Sequence, residues 1–571
     1  MMRFNFNLAT SCSLILLVEL SLAQKLPQVD LGYEVHQAIA FNESGQLYNF
    51  SNIRYAQPPV GELRFAAPVP PKGRNPDVQN GNSTPVCPTA WPAWELIAAS
   101  FVESFVEGNA SSFNYTQAEQ ELQAILAANA NVTYTPPPRS TEDCLFLDVI
   151  VPKAVFDGAH SARQRRQNSG ASVLVWIYGG GYVGGDKSSL NPSGLIKSSQ
   201  ANGDPGLIYV AMNYRLGALG WLSGPTFQSA GGVSNAGLYD QRLALEWVQK
   251  YIPLFGGDPS KVTVMGESAG GGSIEHHMTA YGGQQPVPFS KAIIQSPGFL
   301  PTTSLFVQEN TTNLFLKYLN VSSIEEARQA SSLAVITANY NLLTNAQYAS
   351  YAVGPVVDGT FVPNLPGIAF LNGAYAKNLS VMAGHNTNEA PIFTPPFLNT
   401  DAEFAEYLRA AFPTVTTQVV DYMVHTLYPL SDYPAPIYRT MALINEFLFQ
   451  CNTNYIARAY GNKTYNYQFE VFPALHGYDV PYSFYNGQST NLTADMVAPV
   501  ARTMQSYLVN FATTGNPNGP GLPYFPMQGN NATEMGINAT LSATGVTPNI
   551  ALQRDPTVNA RCVWLQKALY A

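Results

Sequence analysis

Lys261-Val-Thr-Val-Met-Gly-Glu-Ser-Ala-Gly270 runs from a short β-branched stretch into a serine bracketed by glycines. Lys261–Met265 reads as a strand, Gly266–Gly270 fits the pattern G-x-S-x-G, and an apolar helical segment follows. Between strand and helix, this pattern forces the serine into a strained turn at the C-terminal edge of a sheet. The flanking glycines remove side chains that would clash there. Without that setting the same five residues would read only as a glycine-rich turn.

Outward from this point, strands alternate with helices. Ser172–Tyr178 (SVLVWIY) and Leu207–Tyr214 (LIYVAMNY) are unbroken apolar runs of strand length, which suits strands covered on both faces. Lys291–Gln295, Leu379–Ala383 and Tyr465–Phe469 read as further strands. Between Asn235 and Ile252 the period turns helical, with Ala244, Val248 and Ile252 on one face and Asn235 placed to cap the start. Ala494–Phe511 predicts a long helix. The alternation predicts an α/β fold with a large, mainly parallel central sheet flanked by helices. Pro136-Pro137-Pro138 and 164–170 read as surface loops, the second holding Arg165-Arg166, which could also be a processing site.

A serine hydroxyl needs a base and an orienting acid to attack an acyl carbon. In this class of fold the chain order is serine, acid, histidine. Of the 7 histidines, His425 and His476 lie far enough downstream. Tyr422–Leu427 looks helical and half-buried, so His425 reads as structural. His476 lies in the loop Pro473–Gly477 after a strand, where such a sheet places its chemistry, and it is the expected base. Glu389 follows the strand Leu379–Ala383 and the loop Gly384–Asn388, which favours it as the acid; Asp358-Gly359, the competitor, reads as a tight turn. His276 and His277 are adjacent, point in different directions and read as structural rather than metal ligands. An oxyanion would need backbone N–H donors. Gly179-Gly180-Gly181 after the strand Ser172–Tyr178 supplies Gly180 and Gly181, and Ala269 supplies the donor after the serine.

The chain has 571 residues, long enough for one large core or several domains, and 46% of them are apolar. Only 12% are charged, and the net charge is −9. A mildly acidic chain with no basic block makes nucleic acid an unsuitable partner. Arg3, the apolar run Leu14–Val18 and the small residues before Gln24 read as a signal peptide, residues 1–23, rather than a membrane anchor. The mature chain, 24–571, would be secreted. Cys12 leaves with the signal, so four cysteines remain, Cys87, Cys144, Cys451 and Cys562, with three pairings open. Nearest-neighbour pairing would close two long loops, each worth about 4–5 kcal/mol in the chain-entropy model. Four buried free thiols are the alternative, and the spacing matches no zinc motif. N-linked glycans are expected from the sequons at Asn42, Asn49, Asn82, Asn109, Asn114, Asn131, Asn310, Asn320, Asn378, Asn462, Asn491, Asn531 and Asn538.

Phe255–Gly270 (FGGDPSKVTVMGESAG) and Glu142–Pro152 (EDCLFLDVIVP) resemble the two signatures of the type-B carboxylesterase/lipase family, which includes cholinesterases and fungal lipases. The likeness extends to Tyr55–Pro59, Trp176–Gly181, Asn213–Gly217 and Asn510–Asn518, nearly the whole mature chain. It implies a single α/β-hydrolase domain over 24–571 that cleaves carboxylic esters without metal or organic cofactor, its substrate a small-molecule or lipid ester. It implies Glu389 as the acid, although Ala390 stands where a glycine is usual. It also implies the Cys87–Cys144 bridge, and Cys451–Cys562 resembles a bridge of cholinesterase-like members. The rival of a different class is an inactive adhesion protein on the same fold. Trp91 and Trp94 lie where cholinesterases carry a choline-binding aromatic, but at a spacing that matches poorly; two exposed tryptophans suit a lipid or glycan surface equally.

The loop between Cys87 and Cys144 is longer than a structural connection needs. Its middle, Trp94–Val106, is apolar and looks helical, with Leu96, Ile97, Phe101 and Phe105 expected on one face, and Gln117–Ala127 predicts a second helix. By resemblance to fungal lipases, residues 88–143 are expected to form a flap above Ser268, open to transient contact with a lipid surface. A fixed subdomain is the alternative.

Overall fold

Apolar runs without alternation cannot leave one face in water, so they require a sheet covered on both sides. In the computed structural model they lie at the centre of an 11-stranded sheet. The structure describes residues 26–128, 134–161, 170–487, 496–542 and 545–571. The signal peptide, Cys12, the sequons at Asn131 and Asn491, and Arg165-Arg166 lie outside the described residues.

In chain order the strands are β1 (Ala40–Asn42), β2 (Leu47–Arg54), β3 (Phe146–Pro152), β4 (Ala171–Ile177), β5 (Ile208–Met212) and β6 (Gly257–Glu267). They continue with β7 (Lys291–Gln295), β8 (Ser380–Asn386), β9 (Tyr465–Phe469), β10 (Thr533–Ser542) and β11 (Gly545–Arg554). Their spatial order is β11-β10-β9-β8-β7-β6-β4-β5-β3-β2-β1. From β10 to β5 every neighbouring pair is parallel. Beyond them both margins are antiparallel. Residues of β5, β7 and β9 are buried throughout; β5 is apolar along its length, while β7 and β9 also bury Lys291, Gln295, Asn466 and Gln468. The hairpin β10–β11 was not readable from sequence. Its outer strand is almost wholly exposed and holds Pro548, which an edge strand tolerates.

The helices that bear on the site are α1 (Glu95–Val106), α2 (Tyr115–Ala128), α3 (Ala236–Tyr251), α4 (Ala269–Thr279), α5 (Leu305–Leu319), α6 (Asp401–Ala411) and α7 (Ala498–Thr514). Helix α3 buries Leu238, Ala244, Trp247 and Val248, the face its period indicates. Asn235 does precede it, but the side chain does not cap it. Its backbone is left-handed, at φ 59°, and its amide donates to Val356 O at 2.9 Å and to Asp358 Oδ2 at 2.8 Å. The residue joins two loops instead.

Both nearest-neighbour bridges are present, Cys87–Cys144 and Cys451–Cys562, with Cα–Cα distances of 5.0 and 5.1 Å. Within the first loop, Ile97 and Phe101 of α1 are buried as expected, but Leu96 is exposed. Trp94 takes its place in the apolar face, with Ala98 and Phe101, against Phe393, Ile444 and Phe449. Trp94 is therefore not a surface tryptophan. Its indole N–H donates to Ser350 O at 2.9 Å, and only Trp91 stays exposed. No helix of the described residues is long and apolar enough to cross a membrane.

Candidate active site

Parallel strands deliver their C-terminal ends to one edge, and five neighbouring strands do so here. β4 leads into Gly179–Gly181, β6 into Ser268, β7 into Ser296, β8 into Glu389 and β9 into His476. Ser268 has φ 56° and ψ −124°, a sparsely populated conformation that projects its side chain from the sheet edge. The close turn depends on Gly270, where a Cβ would come within 2.0 Å of Ile177 O. Ser268 N donates to Gln295 O at 3.0 Å, and its carbonyl accepts from Gly272 and Gly298 at 2.8 and 3.0 Å, so β7 and α4 hold the strained residue in place.

The hydroxyl of Ser268 lies 2.8 Å from Nε2 of His476. Nδ1 of the same ring lies 2.6 Å from Glu389 Oε2. A carboxylate only accepts, so Nδ1 carries the proton and Nε2 is left as the acceptor for Ser268. The other oxygen of Glu389 accepts from Ser296 Oγ at 2.7 Å and from the Asn386 backbone N–H at 2.5 Å. Glu389 is fully buried. The acid and base loops are joined directly: Asn388 and Leu475 form a parallel bridge, Asn388 N donates to Ala474 O at 2.9 Å, and its side-chain amide donates to Pro473 O at 2.8 Å. Phe449 and Phe393 enclose the imidazole, with ring centroids 4.2 and 5.1 Å away.

The glycine loop approaches from β4. A Cβ on Gly179 would lie 2.8 Å from the Cβ of Ser268, so a side chain there has no room. Gly180 and Gly181 follow with φ of 102° and 61°. Ala269 opens α4, whose first N–H groups have no partner within the helix. Gly179 thus lies against Ser268, Ala269 adjoins it, and Gly180 and Gly181 follow on in the same loop. Trp91, from the disulfide loop, covers this glycine segment; a Cβ on Gly184 would come 2.2 Å from its ring.

Glu267 was missed in the sequence, although it sits inside the G-x-S-x-G pattern. Its carboxyl lies 3.4 Å from His476 Nε2. Burial pushes it up to about 8, so it is protonated at neutral pH. Burial alone would lower the His476 imidazole, but the Glu267 and Glu389 carboxyls outweigh it and the net direction is upward. Where Glu267 is neutral its pull on the ring is gone, and the hydrogen bond to Glu389 is the contact that still holds the imidazolium. Asp479 was also missed. It accepts from Tyr467 Oη at 2.8 Å, Gln295 Nε2 at 2.9 Å and Asn386 Nδ2 at 3.3 Å, supporting the strand ends beneath the acid.

The rejected candidates lie elsewhere. Asp358 closes its turn by accepting from Thr360 and Val362 N–H at 2.7 and 2.9 Å. His276 and His277 are buried and bond Gly272 O and Gln241 Oε1. His425 is helical but not half-buried: its side chain is 62% exposed, 3.8 Å from Asp401. Its helix turns one residue wider there, a π-turn over Met423–Leu427, which shifts the face. Among the described residues no group of three His, Cys, Asp or Glu side chains is arranged to hold a metal.

A mostly parallel sheet with helices on its faces and a serine elbow at its edge is the α/β-hydrolase fold. The model of the carboxylesterase family matches residues 36–552, and the chain belongs to that family; it is a carboxylic ester hydrolase. It is 41% identical over 557 residues to carboxylesterase patB of Penicillium expansum, covering 96% of this chain and 97% of that protein. It is 34% identical over 393 residues to a secreted lipase of Arthroderma benhamiae, covering 66% of this chain and 72% of the relative. In structure it is similar to Aspergillus niger EstA, with a TM-score of 0.75 at 24% identity, covering 95% and 98% of the two chains.

Proposed function

We propose that the chain is a secreted serine esterase that works through an acyl-enzyme. Ser268 attacks the acyl carbon while His476 Nε2 takes its proton. Gly180, Gly181 and Ala269 donate N–H groups to the oxyanion. His476 then protonates the leaving alcohol, and water releases the acid by the same steps in reverse. Glu389 keeps Nδ1 protonated and stabilises the imidazolium. The observation that carries this reading is the unbroken hydrogen-bond sequence from Ser268 through His476 to Glu389, at 2.8 and 2.6 Å.

Export is supported by the two bridges and the sequons, since disulfides persist in oxidising compartments. The described residues of 88–143 form the roof in this reading. Trp91 of that roof lies over the glycine segment, and α1 packs beside Phe393 and Phe449, the rings that enclose His476. Apolar walls favour esters with an apolar acyl group; relatives named both carboxylesterase and lipase fit that range.

A fluorophosphonate probe tests the reading. Labelling at Ser268, lost in Ser268→Ala together with p-nitrophenyl ester hydrolysis, is the expected result, the loss being on the order of 10⁶ in kcat. A folded Ser268→Ala protein that retains a tenth of the activity would reject the assignment. An unlabelled wild type would favour an inactive binding protein.

A further inference from the structure

An 890 Å³ cavity lies between α5 and α6. Its inner wall includes Tyr351, whose ring lies 2.8 Å from where a Cβ on Gly181 would be, so the cavity ends one ring away from the glycine segment. Its outer mouth is edged by Phe306, Asn310 and Leu314 of α5. These residues are four apart and share one helix face. Phe306 is 71% exposed, and Leu305 and Leu314 are also exposed, so an apolar stripe faces solvent at the opening.

Exposed apolar stripes of this kind are usually covered. Asn310 stands in the middle of this one and begins the sequon Asn310-Thr311-Thr312. Its own side chain is exposed. Thr312 is buried, its hydroxyl donating to Ser223 O at 2.7 Å, but sugar transfer precedes folding and needs the threonine only in the unfolded chain. Two other described sequons are set differently. The Asn538 amide is half-buried and donates to Glu470, and the Asn42 side chain closes its own turn through Ser44 and Gly45.

We propose that Asn310 carries an N-linked glycan whose first sugars lie over Phe306 and Leu314 and close the outer mouth of the cavity. The inference rests on the export reading given above. In the transfer, Asn310 Nδ2 gives up a proton and bonds to the anomeric carbon of N-acetylglucosamine. The leaving group is the pyrophosphate of a lipid-linked oligosaccharide donor. The C–H faces of the sugars then meet the apolar side chains, and their hydroxyls face water.

The test is glycopeptide mass spectrometry of the full chain secreted from a eukaryotic host, with binding of the dye ANS to the folded protein. Asn310 should be occupied, and Asn310→Gln should raise dye binding severalfold. Adding Phe306→Ser to that variant should return binding to the wild-type level. If Asn310→Gln does not fold, enzymatic removal of glycans from folded wild type should give the same rise. A bare Asn310 beside other occupied sequons overturns the proposal, as does an occupied Asn310 whose removal leaves dye binding unchanged. A bare Asn310 with self-association that Phe306→Ser abolishes would make a second copy the occupant instead. A chain with no sugar at all would reject export and this proposal together. The esterase reading would still be judged separately, by fluorophosphonate labelling.

Discussion

Glu267 Oε1 approaches to 3.4 Å the same His476 nitrogen that faces the Ser268 hydroxyl. One acidic proton and one imidazole thus share a few ångströms of buried space beside the glycine segment. Both groups give up a proton as pH rises, the imidazole becoming neutral and the carboxyl becoming an anion.

The acid limb of kcat/KM belongs to His476, which acts only when neutral. Its net shift is upward from 6.5, so activity should be lost as pH falls through a value above 6.5. On the alkaline side, ionising Glu267 near pH 8 would set an anion beside the oxyanion position, and the rate should fall there. Glu267→Gln mimics the neutral carboxyl, so it should keep activity at pH 7 within about tenfold and flatten the alkaline decline. A pH–rate profile from 5 to about 9.5 reads both limbs. An unchanged alkaline limb in the variant would assign it to another group.

His476→Gln should lower kcat on the order of 10⁴–10⁶ without changing the melting temperature. His425→Gln should leave kinetics unaltered, because that ring is 62% exposed and faces Asp401. Steady-state hydrolysis of p-nitrophenyl butyrate compares them. Exchanged phenotypes would make His425 the base.

Glu389→Gln removes the acceptor that fixes the imidazole tautomer and should lower kcat on the order of 10³–10⁴. Asp358→Asn weakens a turn instead, so it should lower thermal stability by about 1–2 kcal/mol and spare kcat. Kinetics together with calorimetry separate the two. A larger kcat loss at Asp358 would reassign the acid.

For the roof, Phe101→Ser combined with Phe105→Ser distinguishes a flap from a fixed subdomain. The flap reading expects selective loss on long-chain esters, with short-chain turnover kept. An equal loss on both chain lengths, with a lower melting temperature, would identify a fixed subdomain. Phe101 is fully buried against Phe113 and within the cluster of Phe393 and Phe449, so some loss of stability is expected in either case.

The parallel strands could be read from the sequence because burial on both faces writes an unbroken apolar run, as in Ser172–Tyr178. The three residues joined by hydrogen bonds could be read because each follows a strand of that parallel set. Ser296, Asn386 and Asp479 could not. Ser296 reaches Glu389, and Asp479 reaches Asn386, only across neighbouring strands, while Asn386 meets Glu389 through a backbone N–H that any residue there would offer. The hairpin β10–β11 went unread because its outer strand faces solvent and carries no alternation. In α1 the placement of Leu96 was wrong by helical phase: the stripe of Trp94, Ala98, Phe101 and Phe105 excludes it.

The ties between Asn388 and residues 473–475 set the unit in which this site can be transplanted. Grafting the acid loop of a relative alone would sever contacts to three consecutive residues of the loop that carries His476. The serine turn depends instead on β7 and α4 and could be exchanged independently. Recombination between family members should therefore tolerate crossovers between Gly298 and β8, and reject those that fall between Asn388 and Leu475.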